Sequence, residues 1–253
     1  MSALTKDLRE QVIRLHVAII ACVERVRART DAEALHDLRI NLRKLRSLLK
    51  PVGDRASCME LQRSAAALGT LTGPLRDLEV LEAELWRLGD QQAARARAGR
   101  VVQGYAGVAC SQQTLELLQA LEAWPANWLA SELQGELKQL RAHLHKRLRK
   151  DQQRLRTLLH SEALDWHELR LLVKRVRYGA QAYPQLCGLS ARQQATLKRA
   201  QSSLGTWHDH LQWLHRAETE PDLQACAGVW SASLQGCEQA CTDVVVRLQA
   251  QMA

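Results

Sequence analysis

Residues 36–46 of the chain read HDLRINLRKLR, and this stretch decides the fold that the sequence predicts. Leucines in and around it recur at steps of three and four residues: Leu35, Leu38, Leu42, Leu45 and Leu49. Such spacing places the leucines on one stripe of an α-helix. The arginines follow the same period directly beside that stripe. The stretch therefore predicts a helix that buries its leucines and carries a row of cations along the edge of the core.

Helical spacing continues along almost the whole chain outside this stretch. Aromatic residues make up only 4% of the sequence, with no phenylalanine, whereas β-strands favour aromatic and β-branched side chains. Helix breaks are predicted at residues 51–53, 73–74, 89–90, 124–125, 184–188, 205 and 221. Capping boxes are predicted at Thr30–Glu33, Asp165–Glu168 and Ser190–Gln193. We therefore expect an all-α protein of roughly ten helices.

The chain contains an internal duplication. HDLR at residues 36–39 recurs 131 positions later as HELR at residues 167–170. Two further matches follow: RKLR at 43–46 meets KRVR at 174–177, and GPLRD at 73–77 meets GTWHD at 205–209. The second of these lies 132 positions on, so the register of the repeat is nearly constant.

This duplication predicts how the chain is organised. We expect one domain over residues 1–253, made of a first repeat of about 1–124 and a second of about 126–253. The two repeats would meet near Pro125, and each would form a small helical bundle. Pseudo-twofold packing would bring the two histidine-containing helices into comparable positions.

Positive charge is concentrated in a few stretches of the chain. The formal net charge is +8, and the excess lies in residues 36–50, 141–156 and 167–177. No acidic residue stands between Arg39 and Lys50, although a helix face held by its own salt bridges needs carboxylates at spacings of three or four residues. A field of one sign is expected where a partner of opposite charge is bound. The charge pattern therefore predicts an anionic partner.

Two rows of side chains are the candidate binding residues. The first basic row comprises His36, Arg39, Arg43, Arg46 and Lys50, and the second basic row comprises His167, Arg170, Lys174 and Arg177. Guanidinium groups match phosphate oxygens, ammonium groups act as point charges, and histidines donate more strongly when protonated. Basic side chains that are spaced by one helical turn can contact successive groups of a linear anion, such as a chain of phosphates. The alternative for the histidines is a bond to a neighbouring carbonyl near the start of a helix.

Further basic residues are candidates of lower rank. These are Lys50, at the end of the first basic row, and Lys44 and Arg175, which lean off the two rows. Another helical stripe carries Arg141, His145 and Arg149, which either complete the binding site or lie exposed. The sequence leaves both possibilities open.

The motifs resemble those of a known family. HDLRINLRKLR at 36–46 resembles the signature helix of the CHAD domain, LRDLEV at 75–80 resembles that family's next motif, and residues 169–178 resemble the signature of its second half. The resemblance covers nearly the whole chain. Two positions depart from the family pattern: Gln181, where an acidic residue is common, and His208, which replaces a more typical polar residue before Asp209.

The resemblance implies both a fold and a function. It implies two four-helix bundles, related by pseudo-twofold symmetry, that form one compact unit around a central basic pore. That pore would bind inorganic polyphosphate through the two basic rows, without catalysis, and family members associate with polyphosphate granules.

An enzymatic role is one alternative. His36–Asp37 and His208–Asp209 echo the His-Asp dipeptide of metal-dependent phosphohydrolases. His208 and His210 point about 200° apart on a helix, so they cannot readily share a metal there. No P-loop and no glycine-rich dinucleotide motif is found, nor the E-x-E-x-K strand of the triphosphate-tunnel domains often joined to this family. We expect no catalysis, no metal and no cofactor.

Two non-enzymatic alternatives remain. The same basic surface could track a nucleic-acid backbone, although the sequence lacks a helix-turn-helix signature, a zinc finger and interleaved stacking aromatics. The second alternative is a pure scaffold protein. Its interactions would remain intact when alanine replaces Arg39, Arg43, Arg170 and Lys174.

The cysteines and the hydropathy pattern bear on location. Seven cysteines form no C-x-x-C pair, which is typical of reduced thiols in the cytoplasm. Cys237 and Cys241 lie one helical turn apart without further ligands at zinc-finger spacing. No apolar run approaches the roughly 20 residues of a membrane span, and Met1–Lys6 does not resemble an export signal. We expect a cytoplasmic protein without a membrane partner.

Overall fold

A computed structural model of the protein describes residues 2–252. Its helices are α1 (Ala3–Ala28), α2 (Ala34–Leu49), α3 (Ala56–Leu71), α4 (Gly73–Leu88), α5 (Gln91–Ala109), α6 (Gln112–Leu133), α7 (Leu140–Leu159), α8 (Trp166–Ala182), α9 (Pro184–Cys187), α10 (Ala191–Ala217) and α11 (Gln224–Met252). Two 3₁₀ helices cover Lys50–Val52 and Pro221–Leu223. Residues 2–252 contain no strand, and the predicted all-α class is confirmed.

The chain divides into two compact units. The first ends at Leu144 and the second begins at His145, inside α7. In the first unit α1 packs on α2, α5 and α6, while α3 packs on α6 and α4 on α5. In the second unit α10 packs on α8 and α11, and α7 joins their core through Leu155 and Leu159. The second unit thus has four long helices and the short α9, whereas the first has six helices of at least 16 residues.

The apolar stripe predicted for α2 is buried, and so are the apolar residues at the same spacing on α8. All five leucines of the α2 stripe are at most 2% exposed. On α8, Leu169, Val173 and Val176 belong to the core of the second unit. Burying a leucine side chain contributes about 1.5–3 kcal/mol, so these stripes fix the rotation of both helices. The basic residues beside the stripes must therefore emerge along the edge of each core.

Two predicted helix breaks are wrong. Pro125 lies inside α6 and Gly205 lies inside α10. Proline removes one backbone hydrogen bond, but Trp124 and Trp128 are both buried and stack with ring centroids 5.1 Å apart. This packing holds α6 together across Pro125, so the expected hinge is absent there. The limits of the two sequence repeats stay a prediction.

The predicted capping boxes have mixed outcomes. The Ser190–Gln193 box is formed at the start of α10. Asp165 caps α8 by accepting a hydrogen bond from the backbone N–H of His167 at 2.7 Å. The Thr30–Glu33 box is wrong, because Thr30 Oγ1 donates to Asp31 instead and α2 begins only at Ala34.

The structure also shows the hydropathy of the helices and the state of the thiols. Within residues 2–252, no helix combines the length and the apolar character that a membrane crossing requires. All seven cysteines are free thiols, and Cys110 is the exposed one among them.

Candidate functional site

The first basic row runs along one side of α2. His36, Arg39 and Arg43 are half-buried, whereas Arg46 and Lys50 are exposed. The row therefore starts at the edge of the core and ends in solvent. Lys44, which the sequence placed off the row, is exposed.

The single acidic residue of α2 is bound by the neighbouring helix. Arg25 of α1 donates from Nη1 to Asp37 Oδ2 at 2.8 Å. The same guanidinium binds both carboxylate oxygens of Asp31, at 3.0 and 2.7 Å. The hydrogen bonds from Arg25 are the main reason why the pKa of Asp31 is lowered to about 2. The carboxylate of Asp37 thus pairs with Arg25 of α1 and not with the first basic row.

Arg39 is a half-buried arginine of the first basic row. Its Nη1 donates to the carbonyl oxygen of Gly69 at 3.0 Å and to Thr72 Oγ1 at 2.9 Å. Both acceptors lie where α3 ends, and the last carbonyls of a helix lack intrahelical donors and carry partial negative charge. Arg39 therefore has a structural role as well as a place in the row.

Arg39 belongs to a group of three arginines. Burial lowers the pKa of Arg39, and the carboxylate of Asp77 partly offsets this shift. The guanidinium groups of Arg43 and Arg76 lower that pKa further, so the three cations are close enough to repel one another. The geometry of the first unit therefore extends the row of α2 to Arg76 on α4.

Arg76 is held in place by a partly buried network. Its Nη1 pairs with Glu79 Oε2 at 2.8 Å, and Glu79 Oε1 accepts from the hydroxyl of Tyr105 at 2.6 Å. Burial and this bond to Glu79 raise the pKa of Tyr105. The ion-pair partner of Arg76 is thus Glu79, three residues along the same helix.

Two glycines leave room for guanidinium groups of the first basic row. A Cβ atom on Gly69 would lie 3.2 Å from Arg46 Nη1, which is tighter than ordinary packing. One on Gly73 would lie 3.9 Å from Arg39 Nη1. The end of α3 therefore approaches Arg46 closely because Gly69 has no side chain, whereas at Gly73 a Cβ would lie at ordinary van der Waals distance from Arg39.

The second basic row meets a histidine from another helix. His167 of α8 and His208 of α10 have ring centroids 5.6 Å apart. Burial, followed by the charges of Arg170, His167 and Lys174, lowers the pKa of His208 to about 4. We call these four residues the His208 cluster: His167, Arg170, Lys174 and His208. The structure thus brings three residues of the second basic row together with one that the sequence analysis did not select.

Arg177, at the end of the second basic row, has an ordered environment. Its Nη1 donates to Gln201 Oε1 at 2.7 Å, and its guanidinium lies 5.1 Å from the ring centre of Tyr178. Gln201 in turn donates to the Tyr178 hydroxyl at 3.3 Å. Beside it is a pocket of about 200 Å³ lined by Arg177, Gln181, Gln194, Ala195, Leu197 and Lys198.

The duplication is visible in the contacts inside each unit. In the first unit Arg76 acts on Arg39, and in the second His208 and Arg170 act on each other. In the sequence repeat, Arg39 matches Arg170 and Arg76 matches His208. The same two repeat positions therefore face each other in both units.

The remaining predicted residues lie outside these groups. Arg175 is 3.5 Å from Asp151 of α7, so its charge has a carboxylate partner. On α7, Arg141, His145 and Arg149 are exposed. Their place in a binding site stays a prediction.

His208 and Arg76 are the residues that sequence reasoning missed. The match of GPLRD with GTWHD aligned these two residues, but the sequence analysis placed neither of them in a basic row. His210 points away from His208 and lies 3.9 Å from Cys237 Sγ. Residues 2–252 contain no group of three or more His, Cys, Asp or Glu side chains arranged to hold a metal.

Known proteins resemble this chain in sequence and in fold. The family model described as CHAD domain matches residues 11–218. The crystal structure of the CHAD domain from the plant Ricinus communis superposes with a TM-score of 0.69 and 21% sequence identity, over 99% of this chain and 92% of that chain. No curated protein matches the sequence.

Proposed function

Because the chain belongs to the CHAD domain family, we propose that it binds inorganic polyphosphate through its two basic rows, without breaking the phosphate chain. The His208 cluster is the observation that carries this proposal. Besides burial, the charges of Arg170, His167 and Lys174 lower the pKa of His208, and such a concentration of positive groups creates the potential that attracts an anion. A polyanion is the partner that this charge pattern favours.

The spacing of the rows supports a linear ligand of repeated charge. Residues three and four positions apart on a helix lie about 5–6 Å from each other, so successive side chains can contact successive parts of one extended anion. A charge-assisted hydrogen bond contributes about 1.5–3 kcal/mol when shielded, whereas an exposed ion pair contributes about 0–1 kcal/mol. The half-buried Arg39, Arg43, Arg170 and Lys174 should therefore contribute more than the exposed Arg46.

Both units carry a row, and this favours a long ligand over a short one. A chain that contacts several sites gains affinity because its second contact is intramolecular. A single phosphate gains nothing from the other sites. The central pore and the association with granules belong to the proposal as implications of the family resemblance.

Calorimetry with polyphosphates of defined length tests the proposal. The variant R39A/R43A/R170A/K174A should bind long-chain polyphosphate about 100-fold more weakly than the wild type, or worse. Because Arg39 also supports α3, the variant R43A/R170A/K174A provides a second test that leaves this contact in place.

A matched control separates a site from general charge. Arg14, Arg27, Arg63 and Arg87 are exposed and each pairs with a glutamate on its own helix. The fourfold alanine variant at these positions removes the same charge and should bind nearly as well as the wild type. Equal losses in both variants, or no loss in either, would show that the rows are not the binding site.

Two further experiments test which polyanion the protein prefers and whether it cleaves polyphosphate. Long-chain polyphosphate should displace single-stranded DNA or RNA at matched ionic strength, and the opposite order of affinity would favour nucleic acid as the partner. Incubation with polyphosphate and a divalent metal should release no phosphate. Release by the purified protein would contradict the non-catalytic part of the proposal.

A further inference from the structure

We propose that His208 is a ligand of the bound anion that acts in its protonated form, so that the second unit takes up a proton together with polyphosphate. This inference rests on the proposed function and adds to it a residue outside the two basic rows. The uptake of this proton makes polyphosphate binding by the second unit dependent on pH.

The position of His208 supports a direct role. It is half-buried on α10 and its ring lies 5.6 Å from the ring of His167 on α8. Arg170 and Lys174 act on it from the same helix. An anion held by the second basic row would therefore lie within reach of His208 as well.

The first unit has a permanent cation at the matching repeat position. Arg76 stands there beside Arg39, and Glu79 and Tyr105 hold it in place. An arginine remains charged at every physiological pH, whereas a histidine changes its charge near neutrality. Both units thus have a basic residue at the same repeat position, but only the histidine of the second unit changes its charge near neutral pH.

The surroundings of His208 oppose its protonation while no anion is bound. The charged groups that shift it all come from α8: Arg170, His167 and Lys174. Of the other elements packed on α10, α11 brings Cys237 to the side of His210, and the 3₁₀ helix after α10 carries Asp222. On α10 itself Asp209 is the next residue.

A bound anion favours the protonated form of His208. Burial and the three α8 groups lower the pKa of His208 from 6.5 to about 4, so the free protein holds a neutral ring at neutral pH. Phosphate charges placed among these cations offset their repulsion and raise that pKa. Binding then takes up a proton, and affinity increases as pH falls, by at most about tenfold per pH unit for one proton.

The experiment is calorimetry in pairs of buffers with different heats of ionisation, at about pH 6 and about pH 8. Long-chain polyphosphate is the probe, because its internal phosphates stay ionised throughout. The wild type should take up protons on binding, and His208→Gln should lose most of this uptake. His208→Arg should bind without it and with nearly the same affinity at both pH values.

The control is His215→Gln, which removes an exposed histidine of α10 that lies 3.2 Å from Glu218. This variant should take up protons like the wild type. Unchanged uptake in His208→Gln, or a His208→Arg variant with the pH dependence of the wild type, would overturn the inference. Loss of the uptake in His167→Gln alone would assign the proton to His167 and overturn it too. A wild type that binds no polyphosphate at either pH would instead contradict the proposed function itself.

Discussion

Arg39 Nη1 donates to the carbonyl oxygen of Gly69 at 3.0 Å, so one arginine of the first basic row also caps the end of α3. The buried leucines of α2 fix the rotation of that helix, and the capping contact then fixes the guanidinium. An arginine already held in one geometry loses less conformational entropy when it binds an anion. Structural support and ligand binding are compatible in this residue.

The capping contact predicts a cost in stability at Arg39. Arg39→Ala removes the donor for Gly69 and Thr72, and should lower the free energy of unfolding by about 1–3 kcal/mol. Arg46→Ala, in the exposed part of the same row, should leave it nearly unchanged. Urea denaturation measures both. Equal stabilities of the two variants would show that the contact with α3 contributes nothing.

Glu79 is predicted to position Arg76. Its side chain is 8% exposed and binds both Arg76 and the hydroxyl of Tyr105. Glu79→Gln should lower the free energy of unfolding by about 1–3 kcal/mol and weaken polyphosphate binding, because Arg76 loses its charged anchor. Glu60→Gln, which removes the exposed partner of Arg63, serves as the control. A Glu79→Gln protein with wild-type stability and affinity would rule out this role.

His208 should make the ligand-free protein less stable in mild acid. Its pKa is lowered by burial and by the α8 charges from 6.5 to about 4, so between these values the unfolded chain binds a proton that the folded chain does not. Stability therefore falls as pH decreases through this window. Thermal melts should show a shallower fall for His208→Gln than for the wild type. Parallel profiles would mean that His208 titrates normally.

Polyphosphate binding should weaken steeply with salt. Each phosphate contact contributes about 0.7 to the slope of log affinity against log salt concentration on a flexible chain. The variant R39A/R43A/R170A/K174A should therefore have a slope smaller by about 3. The control variant at Arg14, Arg27, Arg63 and Arg87 should keep the slope of the wild type, and a control slope reduced as much would indicate contacts spread over the whole surface.

Most of the architecture could be predicted because its signals are local. The leucine stripe of α2 and the apolar stripe of α8 show the helical period directly, and both are buried as expected. The breaks between α2 and α3 and between α4 and α5 also follow from local turn residues. The break at Pro125 could not be judged this way, because the packing of Trp124 and Trp128 outweighs the local effect of proline.

The candidate site was predicted in part. The two basic rows follow from sequence spacing, since residues one helical turn apart share a face. His208 and Arg76 lie in aligned motifs, but neither motif shows which side chains of other helices lie next to these two residues. The charged residues that act on or near them, Arg170 and Arg39, come from other helices, and only the tertiary structure brings α8 next to α10 and Arg76 close to Arg39.

The sequence by itself determined the helical class and the two rows, because each depends on the period of one helix, and it determined the duplication, because similar motifs recur 131 positions apart. The tertiary structure alone decided that Arg39 caps α3, that Glu79 of α4 accepts a hydrogen bond from Tyr105 of α5, and that His208 joins the cations of α8. These are contacts between side chains whose distance depends on how helices pack or which rotamers they adopt. No local pattern encodes them.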